Sequence, residues 1–371
     1  MICYFDNAAT TFPKPKAVTA AVNECISYYC GNPGRSSHSL SVKCSEKIYE
    51  ARESVARLLS FANPENISFT QNATHALNIA IKGLIKERCH VIISDLEHNS
   101  VLRPVKKQIE LYGGEMSVFD SDLAPEVAIE PLIRPDTRFI ITTLCSNVTG
   151  RLIDISSLER VCKRHSLRLI VDASQYLGHH RIDMSVHRGI DVLCAPGHKG
   201  LFGIQGSGFI MFNNGTISAD TLTEGGSGSG SLSDRMPEHL PDRFEAGTPA
   251  TPSIISLGEG VKFLLEYGMP SVEARMNALT ERVKDILLSV GGVKIYGCES
   301  GICSFNIDGY TSEEVSARLD KSSICVRGGL HCAPLAHKKL GTLGAGAVRI
   351  SVSVLNTEKE LDRLYFSLKK L

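Results

Sequence analysis

The chain has 371 residues, enough for two domains at roughly 150 residues each. Hydrophobic residues make up 43% and charged residues 22%, which excludes a mainly disordered polypeptide. Lys+Arg is 40 and Asp+Glu is 40, a formal net charge of +0, so no global field favours nucleic acid or an anionic membrane, and small bound ligands are the expected partners.

The amino-terminal stretch MICYFDNAATTFPKPK has no basic segment ahead of an apolar one, so no signal peptide is expected. No apolar run approaches the roughly 18 residues of a membrane-spanning helix. A cytoplasmic protein is the expectation. Helical spacing marks 17–29 and 41–59, the second with Ile48, Ala51, Val55 and Leu58 on one face. A strand is predicted at 66–70, a helix at 73–85, a strand at 91–94 and a helix at 101–112. Strand 139–143, helix 155–165 and strand 168–172 follow. Short β-branched runs separated by helices imply crossover connections and a largely parallel sheet covered on both faces. The fold class is α/β.

The tract Glu224-Gly225-Gly226-Ser227-Gly228-Ser229-Gly230-Ser231 has linker composition. It reads either as a domain boundary or as a loop beside a site, since the motif at 242–249 follows closely. Helical spacing returns at 254–267 and 271–290, and strand-like runs at 303–307 and 347–352 suggest a smaller α+β domain. The 12 cysteines are dispersed and include no C-x-x-C pair, so neither a zinc ribbon nor a thioredoxin-like motif is indicated. Many sit in apolar settings such as Ile302-Cys303, where cysteine acts as a small hydrophobe in a reducing compartment.

The segment from Asp191 to Gly200 carries the clearest chemistry. A strand runs into Pro196-Gly197, and Lys199 emerges between glycines, which permit a bulky cofactor to approach the backbone. An amine meant for Schiff-base chemistry needs a partly desolvated pocket that lowers its pKa. Upstream, strand 169–171 ends in Asp172, where open α/β sheets bind ligands. A helix N-cap is the plainer reading of that acid. One crossover between two such strands would bring Asp172 and Lys199 together, as pyridoxal phosphate requires.

With these residues in place, the chain resembles the class V aminotransferase superfamily of fold-type I pyridoxal-phosphate enzymes. Within it, the likeness is to the cysteine desulfurase and selenocysteine lyase branch. The motifs are Tyr4 to Thr10 (YFDNAAT), Leu96 to Asn99 (LEHN), Ser146 to Gly150 (SNVTG), Val171 to Gln175 (VDASQ) and Gly197 to Lys199 (GHK). They continue as Arg243 to Pro249 (RFEAGTP) and Arg327 to Ala333 (RGGLHCA). The resemblance implies a large domain at 15–252 with a mostly parallel seven-stranded sheet. Residues 1–14 and 253–371 would form the smaller domain.

It also implies site roles. Lys199 would anchor pyridoxal 5'-phosphate and move the substrate Cα proton. Asp172 would face the ring nitrogen and Gln175 the phenolic oxygen; His98 would stack on the ring face and assist proton transfer, and Asn147 would meet the ring or the substrate carboxylate. Thr74 and the His75 amide, at a helix start, would meet the phosphate with His198, and Thr248 would reach it from a second subunit of a homodimer. Arg349 interrupts an apolar strand, which is costly unless the charge is paired; a structural salt bridge is one reading. The resemblance assigns Arg349 to the substrate α-carboxylate, with Arg327 assisting.

Cys332 separates the functions. Its loop, with Gly328-Gly329 before it and Ala333-Pro334 after it, reads as flexible and polar, a setting for an exposed nucleophilic thiol. Leu330 stands where the family often has histidine. His331, Cys332 and His337 lack a recognised metal-ligand spacing, so no metal is expected. The resulting expectation is a cysteine desulfurase that acts on L-cysteine, with L-selenocysteine as a further candidate, and passes sulfur to an acceptor protein or small thiol. The rivals are a class V transaminase and a catalytically silent homologue that binds a sulfur carrier.

Overall fold

The computed structural model describes residues 2–34, 37–215 and 219–371. The chain opens with β1 (Cys3–Tyr4), α1 (Lys16–Glu24), whose end widens into a π-turn over Cys25–Tyr29, and α2 (Ser39–Leu58). Then come β2 (Ile67–Thr70), α3 (Ala73–Leu84), β3 (His90–Ser94), α4 (Asn99–Tyr112) and β4 (Glu115–Phe119). α5 (Pro125–Ile129), β5 (Thr137–Thr143), α6 (Ile155–His165), β6 (Arg168–Asp172), β7 (Val192–Pro196) and β8 (Gly208–Phe212) follow. After a long loop lie α7 (Thr251–Tyr267), α8 (Met269–Leu288), β9 (Val293–Glu299), β10 (Ile302–Ile307) and α9 (Ser312–Asp320). The chain ends with β11 (Ile324–Cys325), β12 (Arg327–Gly329), α10 (Pro334–Lys339), β13 (Ala347–Ser351) and α11 (Glu358–Leu368).

Seven strands form the main sheet in the order β2-β8-β7-β6-β5-β3-β4. The pairs from β7 through β4 are parallel, and β8 is antiparallel to both β7 and β2. Alternation along the strands explains why both faces are covered. Ile92, Ile140, Leu169, Val171 and Leu193 enter one core, shared with α2, α6 and α7. Val91, Ile93, Ile141, Ile170 and Val192 enter the other, beneath α3 and α4. This is the expected α/β arrangement.

A second sheet, β12-β13-β10-β9, is antiparallel throughout. The amino-terminal strand joins this end of the molecule: β1 pairs with β11, and Asp6 bridges to Ser351. Cys298 and Cys303, opposite each other on β9 and β10, form a disulfide, so Cys303 is not the lone buried hydrophobe that its apolar context suggested. Their strand register brings the two side chains together, a proximity that a five-residue separation does not announce.

The glycine-serine tract lies in the loop between β8 and α7. Ser229 Oγ donates to Asp242, and Gly247 N–H donates to Gly226 O. The segment after it is fixed by a buried ion pair. Arg52 of α2 meets both Glu245 oxygens at 2.8 and 3.0 Å, and Glu245 also accepts from the Phe69 amide at 2.6 Å. Among the described residues, no helix is long and apolar enough to cross a membrane.

Candidate active site

The strand order reverses between β3 and β5, and the residues following β3, β5, β6 and β7 converge at the carboxyl ends of those strands, where open α/β sheets bind ligands. β3 leads to His98, β5 to Asn147, β6 ends in Asp172, and β7 leads to His198 and Lys199. A cavity of about 80 Å³ is lined by all five, together with Thr74, Ser100 and Gln175. Asn147, Asp172, His198 and Lys199 are thus brought together by the parallel β5-β6-β7 register, which sets Asp172 beside Cys194 on one side and Thr143 on the other.

Asp172 is buried and accepts the Ser174 amide at 2.9 Å. No helix starts there, so the N-cap reading gives way to a turn that closes the strand. Burial pulls the Lys199 amine down to about 8, against the opposing pull of Asp172, so a substantial neutral fraction exists near neutral pH. The flanking glycines do not make room for a cofactor. A Cβ at Gly197 would lie 2.2 Å from Ser207 Oγ, and one at Gly200 would lie 2.3 Å from Leu177 O. The chain's own turns fill that space.

His98 caps α4: its Nδ1 accepts the Ser100 amide at 3.1 Å, so the ring carries its proton on Nε2. Burial and Lys199 push its pKa down to about 4, leaving it neutral. Burial, with Lys199 and Lys14, does the same to His198. Thr74 Oγ1 lies 2.7 Å from Ser100 Oγ, which ties the starts of α3 and α4 together. The His75 amide, expected to face a phosphate, instead donates to the Asn72 cap at 2.9 Å. The Thr74 amide has no acceptor among the described residues, so the open first-turn donor lies one residue earlier.

Three buried polar atoms of this cavity, Asn147 Oδ1, Gln175 Oε1 and His198 Nδ1, have no hydrogen-bond partner among the described residues. Buried polar atoms are rarely left unpaired, so the cavity suits a polar guest. Gln175 Nε2 spends one N–H on Ala8 O at 2.9 Å. Below the cavity lies Glu97, which sequence reasoning left without a role. It is fully buried, takes hydrogen bonds from Ser94 and the Thr143 amide, and burial pushes its pKa up to about 8. A neutral Glu97 adds no second negative charge near Asp172. Only its burial reveals this, and burial is not visible in LEHN.

Arg349, on β13, is buried with its Nη2 2.8 Å from Asp6 Oδ1 and its Nη1 3.0 Å from Asn147 O. The structure therefore contains the salt bridge considered from sequence, while Arg349 Nε stays unpartnered. Arg327 sits opposite Arg349 in the β12–β13 register, and its guanidinium has no hydrogen-bond or ion-pair partner among the described residues. Two guanidinium groups at one register position concentrate positive charge at this corner.

Cys332 is exposed and lines a second cavity of about 420 Å³, whose wall includes Thr74, His98 and Ser100 from the first. Its loop, expected to be flexible and polar, makes three hydrogen bonds through its backbone. Asn147 Nδ2 donates to His331 O at 2.7 Å, the Asn99 amide donates to Cys332 O at 2.8 Å, and the Ala333 amide closes a turn onto Leu330 O. His331 and His337 face each other at 3.2 Å. Among the described residues, no group of three His, Cys, Asp or Glu side chains could hold a metal. Thr248 is exposed and lines a different cavity with His75 and Gly247, so its own chain does not bring it to Lys199.

Known proteins resemble this chain in sequence and in fold. The model of the aminotransferase class-V family matches residues 3–364. The chain belongs to the class-V aminotransferase family. A probable cysteine desulfurase of Methanothermobacter thermautotrophicus is 32% identical to this class-V member over 99% of the chain and 94% of its own length. An apo structure of a cysteine desulfurase from Thermococcus onnurineus superposes with a TM-score of 0.90 at 28% identity, covering 100% of this chain and 94% of that one. A C-DES variant with glycine covalently linked to its PLP cofactor shares the fold at a TM-score of 0.84 and 19% identity, covering 100% and 97%.

Proposed function

We propose that this class-V protein is a homodimeric, pyridoxal-phosphate-dependent cysteine desulfurase that moves the sulfur of L-cysteine onto Cys332 and releases L-alanine. One observation carries the reading: Thr74, His98 and Ser100 line both the cavity of Lys199 and that of Cys332, so an amine and a thiol work on one bound molecule. The relatives named as cysteine desulfurases, matched over nearly the whole chain, support it.

The residues present fit the cofactor. Lys199 would hold it covalently, Asp172 would face its ring nitrogen, and the second Gln175 N–H would face its phenolic oxygen. Thr74 and His198 would take the phosphate at the start of α3, with Thr248 supplied by a second copy. Residues 15–252 would carry the cofactor, and residues 1–14 with 253–371 would carry the carboxylate and thiol groups. When bound, the cofactor supplies an electron sink that acidifies the substrate Cα–H.

The chain's own groups do the rest. Arg327 and Arg349 bind the substrate carboxylate; Asp6 and Asn147 O fix the plane of Arg349, and with it the direction of the unpaired Nε–H. Lys199 Nζ takes the Cα proton, which requires the neutral amine that burial provides. Neutral His98, on the wall shared by both cavities, would face the cofactor ring. Cys332 Sγ attacks the substrate sulfur: an S–S bond forms, the Cβ–S bond breaks with its electron pair kept on Cβ, and once Cβ and Cα each take up a proton the product is alanine beside a Cys332 persulfide. An acceptor thiol then takes the outer sulfur through the open cavity of Cys332.

The test is to incubate the cofactor-loaded protein with L-cysteine and a reducing thiol. Alanine and sulfide should appear in equal amounts. A keto acid with pyridoxamine phosphate in their place would make the protein a transaminase.

A further inference from the structure

The loop that carries Cys332 is built around two residues in an unfavourable conformation. His331 and Cys332 have φ of 51° and 57°, in the left-handed region that residues with a Cβ adopt only where their surroundings impose it. Two backbone contacts help: Asn147 Nδ2 holds His331 O, and the Asn99 amide holds Cys332 O. The third hold is the His331 ring, and it leads away from the active site.

The ring is buried, and its Nε2 lies 3.2 Å from Arg327 O. A carbonyl oxygen can only accept, so Nε2 carries a proton. In the neutral ring Nδ1 is then an acceptor. It lies 3.2 Å from Nε2 of His337, which must donate. His337 is completely buried on α10, and its own Nδ1 lies 2.8 Å from Thr342 Oγ1, whose hydroxyl donates. One carbonyl thus fixes the direction of every bond in the series Thr342, His337, His331, Arg327. The reversed series needs a buried imidazolium at His331. Burial and the positive Arg349 and Arg327 oppose that, pushing the His331 pKa down to about 3.

We propose that His337 is a positioning residue for sulfur transfer: with Thr342 it sets the tautomer of His331, and so holds the left-handed turn that places Cys332 at the cavity wall. Its kinetic consequence rests on the desulfurase reading; its structural consequence rests on ring geometry alone. His337 touches neither the Lys199 cavity nor the second cavity. Removing it should impair only the step that uses the thiol.

The experiment compares cofactor-loaded wild type, His337→Leu, His337→Gln, Thr342→Val and Cys332→Ala. Two rates are measured on L-cysteine: alanine formation, and exchange of the Cα hydrogen with deuterated solvent, which needs no thiol. His337→Leu should lower alanine formation about tenfold or more, as expected when a reacting group is misplaced by a fraction of an ångström to an ångström. Its Cα exchange should stay within about twofold of wild type, a split that general loss of structure would not produce. His337→Gln, whose amide N–H can take the place of Nε2–H, should recover part of the loss. Thr342→Val keeps both rings and should fall in the same direction by a smaller factor, which keeps the test open if the leucine variant folds poorly.

Nitrogen NMR of the wild-type rings should show both histidines neutral, protonated at Nε2 and bare at Nδ1. Amide hydrogen exchange across 328–333 should quicken in His337→Leu. An Nδ1–H tautomer or an imidazolium at His331 in the wild type would overturn the proposal, as would unchanged alanine formation or unchanged loop exchange in His337→Leu. So would a fall in Cα exchange matching the fall in alanine. If wild type makes no alanine while Cα exchange proceeds, the desulfurase reading fails, and the NMR and amide-exchange results still decide the histidine series.

Discussion

Lys199 shows how position sets chemistry for a single side chain. An ordinary lysine is almost wholly protonated below pH 9, whereas burial draws this amine to about 8. Only the neutral amine can attach a carbonyl. In the cofactor-free protein, the rate of pyridoxal-phosphate attachment should therefore rise roughly tenfold per pH unit well below that pKa and level off above about pH 8. A rate still climbing steeply through pH 9.5, followed by the visible band, would mean that Lys199 is not desolvated in solution. Cys332 allows a second test at this scale. Cys332→Ala removes the attacking thiol but leaves Lys199 and Asp172 intact, so colour and Cα exchange should persist while sulfide release from L-cysteine falls about a hundredfold or more. L-Selenocysteine, whose selenolate leaves more readily, should lose less. Parental rates on L-cysteine would remove Cys332 from the mechanism.

Elements were legible in the sequence in proportion to how strongly burial shaped their composition. β6 and α6 stand where periodicity predicts them, because β6 is buried from its second residue and α6 is amphipathic with the Asp154 cap at its start. β4 was missed: it is an edge strand in which only Phe119 is buried, so Glu115-Met116-Ser117-Val118 shows no strong pattern. The motif RFEAGTP was visible, but the role of Glu245 was not, since its partner Arg52 lies far away on α2. That pair makes a prediction about stability. Glu245→Ala would leave the buried Arg52 guanidinium with the Ile67 carbonyl and the Phe69 ring but no counter-charge, and should cost about 3–5 kcal/mol in denaturant unfolding. The double variant Arg52→Met/Glu245→Leu should cost less than Glu245→Ala alone, because no uncompensated charge remains. A double variant less stable than Glu245→Ala would show that the lone Arg52 guanidinium carries no such penalty.

For the whole molecule, the parallel order of β5, β6 and β7 makes one site from residues far apart in sequence, and this much followed from strand ends alone. What sequence patterns could not convey is which face a second chain covers. Thr248 is exposed, lies outside the Lys199 cavity, and follows Gly247 at φ 93° with open space around it. Ile26, Tyr28, Leu40 and Val42, at the end of α1 and the start of α2, are exposed apolar side chains that pairing of two copies there would bury. If Thr248 completes the phosphate site of a partner, Thr248→Ala should weaken cofactor binding by roughly tenfold, the worth of one hydrogen bond to a charged group. Complementation then separates action between subunits from action within one. In a mixed dimer of Lys199→Ala and Thr248→Ala chains, one site receives both mutations, and the other pairs a native Lys199 with a native Thr248 from the opposite chain. Mixing the two variants under subunit exchange should therefore restore wild-type affinity and alanine formation to that fraction of sites. If Thr248 acts within its own chain, every site carries one defect and mixing restores nothing. Titration of the exchanged mixture with pyridoxal phosphate, read by the visible band, distinguishes the two cases: a tight phase that appears only after exchange places Thr248 across the interface, and its absence places the phosphate contact within one chain.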